Sequence, residues 1–467
     1  MAAWVGSILT GCAVGQAVPT QPEDVSMAAG PMDGTHHLES VAADWWQELG
    51  SARLNALIAQ ALQSSPNLAA TEATLRQADR MYAAQAGATQ SPQVDARLGA
   101  QRQQTNAAAS GMPDGDRLYN LYHVGVEVGY TFDLFGANRR FLEKLAAEVD
   151  YKRYQHDGAR LALVGNVVTT AITQARLVAR LKTSEAILAD QEAKLAIWQR
   201  RLTLGAASPS EVLAWQTQVD RTRADVPALH AALAQNRHLL AVLVGQEPGS
   251  MDQVAPFQLS EFAAPVAPLE VLPAALARQR PDIKAAEAML QSAYAQHGMA
   301  VAKFYPQITL SGSLGSQSLT MGSLFDGGSP IWGLAGQLTQ PLFRRGLRAE
   351  AQAAAAGIDA AAANYRQTVL EALRDVADVL QSLDADTRSL QSRQSAHHAT
   401  QAHLQSVRRR HELGAASTLE VLTTRQLAHQ VEYELHAAQA QHLLDSVALF
   451  QSLGGGILSE AETFAAN

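Results

Sequence analysis

Three groups of residues in this sequence could do chemistry, and none of them points to catalysis. The first is Cys12, the only cysteine among 467 residues, which excludes an internal disulfide and a multi-cysteine metal site. It closes the segment ILTGC at 8–12, which resembles a lipobox: a short apolar stretch and Leu-Thr-Gly-Cys, cleaved before a cysteine that is then acylated. Residues 1–11 carry no Lys or Arg, so the basic start of such a signal is expected upstream of Met1. Ala13, not Asp, follows the cysteine, so nothing here argues for retention in an inner membrane. One acyl chain anchors only marginally, so several chains or a further membrane element are required. The second group is the histidines, densest at His397, His398 and His403. Their spacing puts them on different sides of a helix, with no carboxylate nearby to complete a metal site, so they read as surface residues. The third is a pair of glutamates, Glu211 and Glu420, each three residues after a serine, Ser208 and Ser417. A carboxylate at that spacing can cap a helix start. No P-loop, G-x-S-x-G, H-E-x-x-H or dinucleotide fingerprint occurs, and no enzymatic activity is expected.

Both glutamates belong to a duplication. LGAASPSEVL at 204–213 matches LGAASTLEVL at 413–422 in eight of ten positions. Upstream, YTFDLFGANRR at 130–140 aligns with LTQPLFRRGLR at 338–348, an offset of 208. SPQVDARLG at 91–99 aligns with YPQITLSGS at 305–313, and SPNLAATEATL at 65–75 with RPDIKAAEAML at 280–290. The order is the same in both halves, which identifies an internal repeat. The expected organisation is a signal segment at 1–11, a first half at 12–246, a Pro-rich linker at 247–270, a second half at 271–456 and a tail at 457–467. The strand pairs are expected at about 91–133 and 305–342, and the helical tips at 204–211 and 413–420.

The elements that must position these residues follow from proline and apolar spacing. Pro66 and Pro281, each followed by Asn67 or Asp282, mark helix starts. YHVGVEVGYTFD at 122–133 alternates strictly: Tyr122, Val124, Val126, Val128, Tyr130 and Phe132 share one face. Trp332, Leu334 and Leu338 fall on the equivalent face of the second half, and the partner strands are expected to begin at Val94 and Ile308. A one-sided antiparallel sheet would alternate in the same way, but the length also suits a tilted membrane strand of ~9–11 residues. No segment has the ~20 consecutive apolar residues of a spanning helix, so a membrane would be crossed by strands. Four strands cannot close a barrel, and lipid tolerates no open edge; three chains would pool twelve. Long helices are expected at 137–203 and 347–411, since both runs lack proline and are rich in Ala, Gln, Leu and Glu. At ~1.5 Å per residue, each would extend ~100 Å.

LGAAS then reads as a helix stop followed at once by a helix start. Gly205 and Gly414 supply left-handed C-terminal caps, and S-x-x-E with Ser208–Glu211 and Ser417–Glu420 supplies two capping boxes. Each tip is an αα-hairpin, expected at the end of the molecule away from the strands, and such an exposed end suits partner docking. Acidic residues outnumber basic ones, 44 to 36, and no basic stripe stands out, which argues against nucleic acid as a partner.

Together the landmarks resemble the TolC-like outer-membrane efflux factor family, and specifically its NodT-type lipoprotein branch. The resemblance rests on DWWQELG, LNALIAQALQSSPNL, FDLFGANRR, LARQRPDIKAAEAML, AKFYPQITLSGSLG, QPLFRRG and both LG-x-x-S-x-x-E-V-L tips, in the family's order over nearly the whole chain. It implies a mainly α fold with a small β part. A homotrimer with a twelve-stranded outer-membrane barrel would be continued by a periplasmic α-helical barrel. It implies an exit duct for small molecules, without a cofactor beyond the lipid on Cys12. The implied partners are a periplasmic adaptor protein, an inner-membrane efflux transporter of RND type and outer-membrane lipid. The docking residues would be Leu204, Gly205 and Ser208 with Leu413, Gly414 and Ser417, and the gate candidates Glu420 and Glu211. The family often has Asp there and a second acid one turn later; Ala214 and Thr423 stand in that place, so the acidic ring is thinner. The alternative is a lipid-anchored coiled-coil structural or adhesin-like surface protein without a channel, for which long helices would suffice and membrane-length strands would have no use.

Overall fold

Proline opens a helix early in each half and glycine closes the long helices, so the computed structural model places most elements within two residues of the expected bounds. It describes residues 44–105, 117–264, 279–327 and 329–455; Cys12 lies outside them. The chain runs α1 (Ala52–Ser64), α2 (Pro66–Gln90), β1 (Gln93–Thr105), β2 (Arg117–Phe132), α3 (Ala137–Thr203) and α4 (Pro209–Leu243). The second half repeats the order with α5 (Pro281–Ala302), β3 (Gln307–Ser318), β4 (Pro330–Thr339), α6 (Arg345–Glu412) and α7 (Thr418–Ser452). The fold is mainly helical with one small antiparallel sheet. The 67-residue α3 and 68-residue α6 are each ~100 Å long at ~1.5 Å per residue. Part of α3 is apolar enough by composition to cross a membrane, but 56% of that stretch is buried, with Val167, Val168, Ala171 and Ile172 fully inside the protein. Its apolarity serves the core.

The described residues form two compact units, one of 74–153 and 285–366, the other of 44–73, 154–284 and 367–455. The first holds the sheet, in the order β1-β2-β3-β4 with every pairing antiparallel. The β2–β3 pairing joins the two sequence halves.

The second unit holds the main core. In α1, Leu54, Ile58 and Ala61 recur at helical spacing and are buried, and Ser51 caps the helix by accepting from Leu54 N–H at 3.3 Å. They pack with Trp45, which stacks on Phe450 at 5.2 Å, and with apolar residues of α3, α4 and α7. The segment expected as a linker is anchored here: Met251, Phe257 and Phe262 are buried, Phe257 N–H donates to Gln174 Oε1 at 2.9 Å, and Arg53 lies over the Phe257 ring. Proline-rich composition marked an irregular backbone; it did not mark a free one, because two phenylalanines in it find the core.

Between α6 and α7 two carboxyl groups meet. Partial burial, then the hydrogen bond and charge of Asp386, push Asp445 from 3.8 up to about 6. A raised acid favours the folded state only while its proton is kept, so stability falls as pH rises from 3.8 through about 6. Asp445→Asn is therefore expected to raise Tm at neutral pH and to flatten that fall, with little change at pH 4, as thermal melts at a series of pH values would read. An unchanged pH dependence would remove the pair as its source.

Candidate functional site

Two surfaces stand out, one in each unit. The first is the sheet. Because paired residues share a face, the register lines up Val94, Val128, Gly312 and Leu334 in one row, and Ala96, Val126, Leu314 and Trp332 in the next. Phe132, Ile308 and Leu338 continue the same face. Leu314 is 68% and Trp332 81% exposed, and Leu98 and Leu334 stand out in the same way. The opposite face carries Asp95, Glu127 and Ser313 in one row and Gln93, Gly129, Ser311 and Ala335 in another. There Arg97 pairs with Glu127 at 3.0 Å, and the Thr131 and Thr309 hydroxyls bond at 3.2 Å. One face is thus apolar and uncovered, the other mostly polar, with these two pairs bridging neighbouring strands. In a soluble sheet the apolar face would be the buried one. β1 and β4 each pair on one side only among the described residues, which leaves two open edges.

The second surface is the pair of tips, both in the second unit. Gly205 (φ 70°) and Gly414 (φ 76°) take the left-handed conformation. Gly205 N–H donates to Leu202 C=O and Ala206 N–H to Arg201 C=O; Gly414 and Ala415 do the same to His411 and Arg410. Each is a Schellman cap. Leu204 and Leu413, immediately before the glycines, are 70% and 84% exposed. The next apolar pair breaks the symmetry, since Leu213 is exposed and its counterpart Leu422 is buried.

The two expected capping boxes also differ. The first is complete: Ser208 Oγ accepts from Glu211 N–H at 3.3 Å, and Glu211 Oε2 accepts from Ser208 N–H at 2.7 Å. The Ser208 N–H, and after it the Ser208 hydroxyl, hold the Glu211 carboxyl below its ordinary value. The second is half formed, which corrects the expectation. Ser417 Oγ accepts from Glu420 N–H at 3.1 Å, but the Glu420 carboxylate turns to Arg410 at 3.0 Å. Arg410 also donates to Ala415 C=O at 3.2 Å. The cause lies one turn back. At the first tip the equivalent Arg201 sits over the Trp198 ring at 5.1 Å, whereas the counterpart of Trp198 is the buried Val407, which offers a guanidinium nothing. Glu211 is thus a cap, and Glu420 an ion-paired carboxylate. Glu211→Ala is expected to speed hydrogen exchange of the Ser208 amide, which donates to the Glu211 carboxylate, while Glu420→Ala leaves the Ser417 amide unchanged because Glu420 is turned to Arg410. Equal effects in exchange mass spectrometry would contradict the difference.

Below the tips lies a charged cluster that the sequence did not single out. Asp190 and Lys194 of α3 are almost wholly buried. Asp190 pairs with Arg425 of α7, and Lys194 Nζ donates to Gln426 Oε1 at 2.5 Å. Burial pulls the Lys194 ammonium below its ordinary value, against the opposing pull of Asp190. An acid and a base four residues apart on α3 were the available signal, but on a helix that spacing usually marks a solvated pair. Among the described residues no group of three His, Cys, Asp or Glu is placed to hold a metal.

The profile of the outer membrane efflux protein family matches residues 57–246 and 272–455. The pyoverdine export outer membrane protein OpmQ of Pseudomonas putida is 30% identical over 433 residues, covering 90% of this chain and 89% of its own. The toluene efflux pump outer membrane protein TtgI, also of Pseudomonas putida, is 31% identical, covering 74% of this chain and 73% of its own. The crystal structure of the outer membrane protein VceC of Vibrio cholerae superposes with a TM-score of 0.77 at 27% identity, covering 89% of this chain and 99% of that one. With its duplicated helical hairpins, its uncovered four-stranded sheet and these matches over most of its length, the chain belongs to the outer membrane efflux protein family.

Proposed function

We propose that three copies of this chain pool their sheets into a twelve-stranded barrel in the outer membrane, continued by a tube of their helices, as the exit duct of a tripartite efflux system. One observation carries it: a sheet whose apolar face is uncovered and whose two edges are open. Closure with neighbouring copies satisfies the edges, and lipid covers the face. Leu204, Gly205 and Ser208 with Leu413, Gly414 and Ser417 form the surface offered to a periplasmic adaptor protein, beyond which an inner-membrane transporter of the RND type supplies small molecules. At the tube mouth Glu420, held by Arg410, is the stronger gate candidate, since Glu211 is occupied by its cap. An acyl group on Cys12 adds a second membrane anchor. The relatives named above are assigned to pyoverdine and to toluene, so membership of the family does not select a cargo.

The test is the mass and shape of the detergent-extracted full-length protein, by light scattering and negative-stain imaging. An elongated trimer over ~100 Å long, as the helix lengths require, is expected. A monomer would leave the apolar face without a purpose and favour the lipid-anchored coiled-coil alternative.

A further inference from the structure

We infer that the junction between β4 and α6 is a docking surface for anionic phospholipid headgroups at the helix-proximal rim of the barrel. The inference rests on the barrel reading above, which brings this end of the sheet to a phospholipid leaflet. Leu338 ends the apolar face of β4, and four residues later Leu342 and Phe343 are exposed, Phe343 at 98%. Arg344, Arg345 and Arg348 follow, all exposed, and none has an ion pair or side-chain hydrogen bond among the described residues.

The first sequence half shows what this junction needs for folding alone. There Phe135, the counterpart of Phe343, stacks on Tyr305 at 4.9 Å. Arg140, the counterpart of Arg348, pairs with Glu143 at 2.6 Å. Asp133 accepts from the N–H groups of Asn138 and Arg139, at 3.1 and 2.7 Å. In the second half Pro341 replaces Asp133, and Arg344 and Arg345 stand where the first half has Gly136 and Ala137. Cations in a first helical turn oppose the helix dipole, so helix formation does not explain them. Guanidinium groups bind phosphate through paired N–H donors, and basic residues beside a membrane favour anionic lipid. Two bare apolar side chains continuous with the membrane face, next to three unpaired arginines, fit acyl chains and phosphates respectively.

The experiment offers full-length detergent-extracted protein an equimolar mixture of phosphatidylglycerol and phosphatidylcholine and counts retained lipids by native mass spectrometry. The wild type is expected to retain phosphatidylglycerol preferentially. Arginines beside a membrane favour anionic lipid by about fivefold each, so R344Q/R345Q/R348Q is expected to lower the preference at least tenfold. R408Q/R409Q, at the far end of α6, is expected to keep it. An equal preference in wild type and triple variant overturns the inference. So does displacement of the lipid by excess inorganic phosphate, which would mean a free-anion site, or Phe343→Cys cross-linking to a second copy without any lipid preference. Intact wild-type trimers that show no phosphatidylglycerol preference strike this inference alone; absence of both trimers and retained lipid in the wild type strikes the barrel reading with it.

Discussion

Leu314→Arg is expected to abolish the assembled trimer in the outer membrane, while Gln337→Arg, on the opposite face of the same sheet, leaves it intact. Leu314 sits in mid-strand between Val126 and Trp332, on the uncovered apolar face. An arginine facing lipid near the midplane costs about 2–4 kcal/mol. Three copies carry it, so the trimer loses roughly 6–12 kcal/mol, comparable to the whole stability of a typical domain. Gln337 lies in a row with Thr309 and Thr131 on the polar face, where a charge remains in water. Trimer content of isolated outer membranes, read as the band resistant to unheated detergent gels, separates the two variants. Wild-type trimer levels in Leu314→Arg would mean that the apolar face does not meet lipid.

Leu204→Asp combined with Leu413→Asp is expected to reduce export to the level of a strain lacking the protein, with trimer yield unchanged. Both leucines protrude from Schellman caps and bury little within their own chain, so the fold loses almost nothing. At a docked interface each leucine would contribute roughly 1.5–3 kcal/mol by burial, and an aspartate in its place adds an unpaired desolvated charge. Six such sites per trimer leave little of a typical interface energy. Growth in the presence of an exported compound, with cross-linking of the adaptor in parallel, reads the effect. Normal export by the double variant would remove the tips from the docking surface.

Much of the fold was legible because the decisive signals were local. Proline set the starts of α2 and α5, glycine set the ends of α3 and α6, and both long helices ended within one residue of expectation. Period-two spacing placed β2 and assigned its faces without any knowledge of its partners. The tips were legible for the same reason, since a left-handed glycine and a capping serine act within one turn of backbone.

The remaining features depend on residues far apart in the chain. The sequence held two strand pairs; that β2 and β3 are neighbours, so that both halves build one sheet, is a pairing across nearly two hundred residues that no local pattern encodes. Ser417 and Glu420 carry the same motif as Ser208 and Glu211, yet Arg410 captures the second glutamate because Val407 replaces the tryptophan that holds Arg201 at the first tip. Asp190 and Lys194 are buried because α7 brings Arg425 and Gln426 against them. Helix starts and stops, the apolar strand face and the duplication were readable from local sequence, because backbone sterics and side-chain periodicity act between near neighbours. The structure alone decided which duplicated residues diverged in role, because a charge takes its partner from whatever the fold places within a few ångströms of it.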